Sequence, residues 1–95
     1  MKIIYKVTFT RLINFDCSVE EKPPEYYQRI DGAVRAYERC LDRFIYIGPF
    51  SATPAYNEEK ANLEGIQRRF MAGDLRKRAF LWGPYEIILQ KIGPR

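Results

Sequence analysis

The sequence predicts an α+β fold, a two-layer sandwich with two helices on one face of a small sheet. Three observations carry that prediction. Apolar residues alternate with a period of two at the N-terminus. They recur at helical spacing from Ile30 to Phe44. They return to period two on both sides of Gly83-Pro84. Ninety-five residues suit a single α+β domain spanning 1–95 with one modest core. A hydrophobic share of 46% excludes a disordered chain, and an aromatic share of 15% leaves some rings for the surface.

Ile3, Tyr5, Val7 and Phe9 alternate with Ile4, Lys6, Thr8 and Thr10, so the stretch from Lys2 to about Leu12 reads as a strand with one buried face. Asp16, Ser18, Glu20, Glu21, Pro23 and Pro24 make Asn14 to Pro24 a long loop by composition. Pro24 suits the first position of a helix, where its missing N–H would have no partner, and Glu25 complements the positive helix end. Ile30, Ala33, Val34, Tyr37, Leu41 and Phe44 form the apolar stripe of that helix. Its polar face offers Glu25–Arg29 and Asp31–Arg35 as pairs four residues apart. Gly32 inside the helix costs about 1 kcal/mol against alanine, which points to close approach by a neighbouring backbone.

Phe44 to Ile47, ended by Gly48-Pro49, reads as a central strand covered on both faces. A second helix starts at Thr53-Pro54 or at Asn57-Glu58-Glu59. It buries Leu63, Ile66, Phe70 and Met71, and Gly73 ends it as a left-handed residue. From Arg76 onward the chain is sheet-like, either a hairpin turned at Gly83-Pro84, the favoured reading, or one strand kinked there. The element order is then β-α-β-α-β-β, with a ferredoxin-like arrangement as first choice.

Charge is unevenly placed. Residues 67–95 hold seven Lys/Arg against Asp74 and Glu86, whereas residues 1–66 hold nine against ten Asp/Glu. Arg68, Arg69, Arg76, Lys77 and Arg78 cluster around the turn at Gly73, with Phe70, Phe80, Trp82 and Tyr85 interleaved. Clustered cations neutralise phosphates, and exposed rings stack on unpaired bases. Arg, Tyr and Trp are equally the residue types of protein interface hot spots. Two readings stay open: a regulator or inhibitor that grips an acidic protein partner, or a binder of single-stranded nucleic acid. Both use Arg68, Arg69, Arg76, Lys77 and Arg78, with Trp82 and Tyr85 as anchors.

A catalytic set is not visible. The chain has no histidine to activate Ser18, Ser51, Cys17 or Cys40, and no glycine-rich phosphate loop. No cofactor or metal is expected, since the cysteine spacing matches no zinc site and Asp16, Glu20 and Glu21 follow no calcium-loop pattern. Both cysteines read as reduced thiols. The N-terminal alternation is a strand and not an export signal, and no apolar run spans a membrane, so the cytoplasm is the expected location.

Two stretches carry resemblances. Arg43-Phe-Ile-Tyr-Ile-Gly-Pro-Phe-Ser51 is similar to the second-half strand and turn of SPOR peptidoglycan-binding domains, which implies a small α/β sandwich that binds glycan strands. Gly73-Asp-Leu-Arg-Lys-Arg-Ala-Phe80 and Tyr85-Glu-Ile-Ile-Leu89 resemble strand segments of RelE-like ribosome-dependent RNases. That resemblance implies phosphate contact and acid-base work for Arg76, Arg78 and Tyr85.

Overall fold

The computed structural model describes residues 3–43 and 54–93. In chain order these form β1 (Ile4–Asn14), β2 (Cys17–Glu20), β3 (Glu25–Tyr27), α1 (Ile30–Asp42), α2 (Pro54–Ala61), α3 (Leu63–Met71), β4 (Lys77–Trp82) and β5 (Tyr85–Ile92). The fold is α+β, an open antiparallel five-stranded sheet with three helices. The ferredoxin-like order requires a strand at 44–47, which lies outside the described residues, as does Phe44.

β1 is central because its alternation makes it two-sided. Tyr5, Val7 and Phe9 are buried under the helices, while Lys6, Thr8 and Thr10 face the other way. Along one edge β1 pairs with β5, from Ile4 opposite Ile92 to Arg11 opposite Tyr85. The other edge is shared, with β3 along Tyr5–Val7 and β2 along Thr10–Asn14. β4 pairs with β5 and is paired on that side only among the described residues.

Two expectations are corrected here. Residues 14–24 are not a loop throughout, because β1 runs to Asn14 and turns back into β2. Asn14 Oδ1 accepts the Asp16 N–H at 3.0 Å across that turn. Pro24 does not open a helix either. Its fixed φ also suits extended backbone, and Glu25, Tyr26 and Tyr27 pair with Val7, Lys6 and Tyr5. The helix starts at Ile30, after an extended Arg29. Glu25 therefore bonds Lys22 and Tyr27, and Arg29 bonds Asp31, instead of the helical pairs expected.

The stripe of α1 packs as predicted, with Ile30, Ala33, Val34, Tyr37 and Leu41 buried, joined by Ala36 and Cys40. A methyl on Gly32 would meet the Tyr27 ring at 3.2 Å, so the close neighbour is a side chain and not backbone. The second helix is two. The Asn62 N–H bonds back to the Glu59 carbonyl at 3.1 Å, and Asn62, at φ −98° and ψ 6°, breaks the helical run. Ile66 and Phe70 are buried, but Met71 is 69% exposed because it falls past the edge of the stripe. Gly73 closes α3 at φ +82°. Gly83, at φ +56° before Pro84, turns the β4–β5 hairpin, the arrangement that a glycine-first two-residue turn requires.

The core joins Tyr5, Val7, Phe9, Phe80, Ile87 and Leu89 of the sheet to α1, Tyr56, Ile66 and Phe70. The opposite sheet face carries no described element. Among the described residues no helix is long and apolar enough to cross a membrane.

Candidate functional site

The register of β4 sorts the basic cluster. Arg78, Phe80 and Trp82 lie opposite Leu89, Ile87 and Tyr85 on the helix-bearing face, and Lys77, Ala79 and Leu81 face the uncovered side. Arg78 therefore turns inward. Its Nε donates to Glu59 Oε2 at 2.9 Å and its terminal Nη2 donates to Oε1, a bidentate ion pair. The Tyr37 hydroxyl donates to the same Oε2 at 2.6 Å. Glu59 is only 4% exposed, so its carboxylate is largely withdrawn from water. Burial, reinforced by the Glu59 carboxylate, pushes the Tyr37 hydroxyl well above the usual tyrosine range. The hydrogen bond to Glu59 likewise holds the Arg78 guanidinium protonated more firmly than usual, against the opposing effect of burial. This cluster clamps α1, α2 and β4 together and forms part of the floor of a groove of about 560 Å³ between α2 and β4.

Glu59 was missed by sequence reasoning, although a signal was present. Tyr56, Glu59, Leu63, Ile66 and Phe70 follow alternate three- and four-residue steps, and Glu59 is the one charge on that stripe. A lone charge on an apolar stripe asks for a buried partner.

The other four cations remain outside. Arg68, Arg69, Arg76 and Lys77 are exposed, and none of them forms an ion pair among the described residues. The backbone ties their segments into one corner. The Asp74 and Leu75 N–H groups donate to the Arg69 carbonyl at 2.9 and 3.2 Å, and the Lys91 N–H donates to the Arg76 carbonyl at 2.8 Å.

The structure does not bring the expected rings to this corner. Trp82 and Tyr85 pair at the hairpin turn, while Lys77 pairs with Gln90 at the far end, roughly 16 Å away along the strand. Both rings are half-buried on the helix-bearing face and pack against the core. Trp82 stacks on Phe80 with centroids 6.3 Å apart, and Tyr85 meets Phe9 edge-on at 5.8 Å.

What adjoins the corner is the uncovered sheet face. Lys77, Gln90, Lys6 and Tyr26 form one row across β4, β5, β1 and β3. Lys6 Nζ lies 5.8 Å from the Tyr26 ring centroid, a cation–π arrangement. Ala79, Ile88 and Thr8 form the next row, followed by Leu81, Glu86, Thr10 and Glu20. Over these three rows the face runs from basic through apolar to acidic, with Ile4 and Ile92 beyond the basic row and Leu12 beyond the acidic one. Tyr26 and Leu81 are 58% and 68% exposed, large apolar surfaces open to solvent. Lys6 and Tyr26 adjoin the basic corner and are not among the residues that the sequence singles out. The N-terminal alternation already puts Lys6 outward, whereas a helix opened at Pro24 would take in Tyr26.

Some of the other charged groups are engaged locally. Lys60 of α2 bridges Glu38 and Asp42 of α1. Burial lowers its pKa, but hydrogen bonds to those carboxylates outweigh burial and hold it above the usual lysine value. Glu21 of the acidic segment pairs with Arg11 at 2.8 Å. Among the described residues no group of three or more His, Cys, Asp or Glu side chains is placed to hold a metal ion. Cys40 is a buried free thiol pushed up in pKa by burial, and Cys17 is an exposed free thiol in β2.

Comparison of the chain with family models, with curated proteins and with solved structures returns no match.

Proposed function

We propose that this protein is a non-enzymatic binding module that docks an acidic segment of a partner protein on its basic corner and uncovered sheet face. One observation carries the reading. Arg68, Arg69, Arg76 and Lys77 are exposed without an ion pair among the described residues, beside a face that also presents Lys6, Tyr26, Ile88 and Leu81. Exposed cations left without carboxylates favour an anionic ligand. Apolar rows next to them favour a polypeptide, whose side chains supply both kinds of contact.

Nucleic acid is the less supported ligand, because Trp82 and Tyr85 pack against the core on the other face and leave Tyr26 as the one ring in the basic row. The ribonuclease resemblance uses Arg78, which the bidentate bond to Glu59 already engages. The stretch from residue 44 to 51 that carried the SPOR resemblance lies outside the described residues.

The test is a salt series with two probes, poly-L-glutamate and a poly(dT) oligonucleotide. Poly-L-glutamate is expected to bind at low salt and to weaken steeply as salt rises. The double substitution Arg76→Glu/Lys77→Glu should abolish binding. Arg29→Glu/Arg35→Glu, which changes net charge equally on the α1 side, should leave most of it. Equal losses from both double variants would reduce the effect to net charge and sink the reading. Preference for poly(dT) would replace it with nucleic-acid binding.

A further inference from the structure

We infer that the partner is a second copy of this chain, whose β1–β2 turn seats head to tail on the basic corner. The inference rests on the reading above and supplies its acidic segment. Arg11 to Ser18 are exposed without interruption. Within that run Phe15 is fully exposed, and Leu12 and Ile13 are more than half exposed. The last β1 residue in the core is Phe9, and β5 pairs with β1 only as far as Arg11. Beyond the bond from the Leu12 N–H to the Pro84 carbonyl, β2 alone holds β1 among the described residues. The turn therefore projects past the body of the sheet. Neighbouring large apolar side chains with no role in the core mark a contact surface.

Charge selects what covers that surface. Asp16 lies in the turn, Glu20 and Glu86 both lie opposite Thr10, and none of the three forms an ion pair among the described residues. Arg11, the cation nearby, is neutralised by Glu21. Unpaired carboxylates repel an anionic membrane or a nucleic acid and favour a cationic surface. This chain carries such a surface at its other end. Phe70 of α3 meets Tyr5 edge-on with centroids 6.1 Å apart, which places the end of α3 at the start of β1. The next residue, Met71, is exposed and lines a recess of about 300 Å³ with Glu64, Gln67 and Arg68. Glu64 in the recess and Asp74 in the turn are outnumbered by Arg68, Arg69, Arg76 and Lys77. A methionine adapts to an incoming ring through its polarisable sulfur. Phe15 therefore suits Met71, and Asp16 beside it suits the guanidinium groups. Lys6, in the row of the corner, and Asn14 are eight residues apart, roughly 26 Å along β1, so the turn does not reach the corner of its own chain. The two surfaces differ, so the contact is heterologous and repeats from copy to copy.

Analytical ultracentrifugation of the full chain over a concentration series is the test, with reductant present so that Cys17 does not cross-link two turns. Mass should rise with concentration at low salt and fall as salt is added. Phe15→Glu and Met71→Glu change exposed side chains, so both variants should fold as wild type does. Each alone should weaken association by about tenfold or more. Mixing them should restore it, because Met71→Glu keeps the turn and Phe15→Glu keeps the corner, and the product should stop at one copy of each. A loss in Phe15→Glu without one in Met71→Glu would mean that turns meet turns, and overturns the inference. So does a mixture that restores nothing. A monomeric wild type overturns it too, and binding to phospholipid vesicles that Phe15→Glu abolishes would then assign the turn to a membrane surface. Poly-L-glutamate reads the corner separately, and Phe15→Glu should bind it as wild type does. If it binds while no copies associate, the acidic-partner reading stands and this inference alone falls. If it fails to bind at low salt, both fall.

Discussion

Replacing Glu59 by glutamine is the sharpest test of how the helices are clamped to the sheet. Glu59 accepts one hydrogen bond from Tyr37 and two from Arg78, each with the carboxylate as a charged acceptor. A bond of that kind contributes about 1.5–3 kcal/mol net. Glutamine keeps one acceptor oxygen, so part of the set survives. The Arg78 side chain is 31% exposed, and water recovers part of the solvation that its lost partner supplied. The balance is a loss of about 2–3 kcal/mol, against the roughly 5–15 kcal/mol that holds an ordinary domain folded. For a chain of this length that lowers Tm by about 10–20 °C. The assay is thermal and urea unfolding of wild type, Glu59→Gln, Arg78→Met and the double variant. The cycle should return a coupling of about 2 kcal/mol, with the double variant less damaged than the sum of the singles. A Tm loss under about 3 °C for Glu59→Gln, or an additive cycle, would refute the clamp.

Other expectations follow from the same geometry. Tyr37 has its pKa raised by burial and by Glu59, so its stabilising effect is complete below the unfolded value near 10 and is lost as pH rises beyond it. Stability should fall by about 1.4 kcal/mol per pH unit above about pH 10 from this group alone, and Tyr37→Phe should remove that slope in alkaline urea titrations. Gly73→Ala should cost about 1 kcal/mol with an unchanged m-value, since φ is +82° while nothing lies within 4 Å of a new methyl. Met71→Lys should stay within about 0.5 kcal/mol of wild type, whereas Phe70→Ala should lose about 3–5 kcal/mol, because their exposures are 69% and 1%.

The sequence made elements legible where a period ran long enough to exclude the alternatives. β1, α1 and the β4–β5 hairpin each repeat their pattern over several turns or residue pairs, and Gly73 and Gly83 mark ends that need positive φ. β2 and β3 were hidden because their strand character comes from β1. Runs of four and three residues, Cys17–Glu20 and Glu25–Tyr27, are too short to show a period until Thr10–Asn14 and Tyr5–Val7 offer a ladder. The basic corner was legible as a count of charges, and its exposed members stand at one end of the sheet. Two details required side-chain direction. A shift of one residue along β4 decides whether a guanidinium joins the surface or the core, and Arg78 falls on the inner parity while Lys77 falls on the outer. Trp82 shares the inner parity of Arg78, which is why the expected anchor packs on Phe80 instead of standing beside the cations.

Backbone amide shifts mapped by NMR during a titration with poly-L-glutamate at low salt address the binding surface residue by residue. The account predicts shifts concentrated at Arg68, Arg69, Arg76 and Lys77 and along the Lys6, Tyr26 and Gln90 row, with Arg78 and the α1 charges Arg35 and Glu38 little changed. Shifts centred on α1, or spread evenly over every exposed cation, would contradict it.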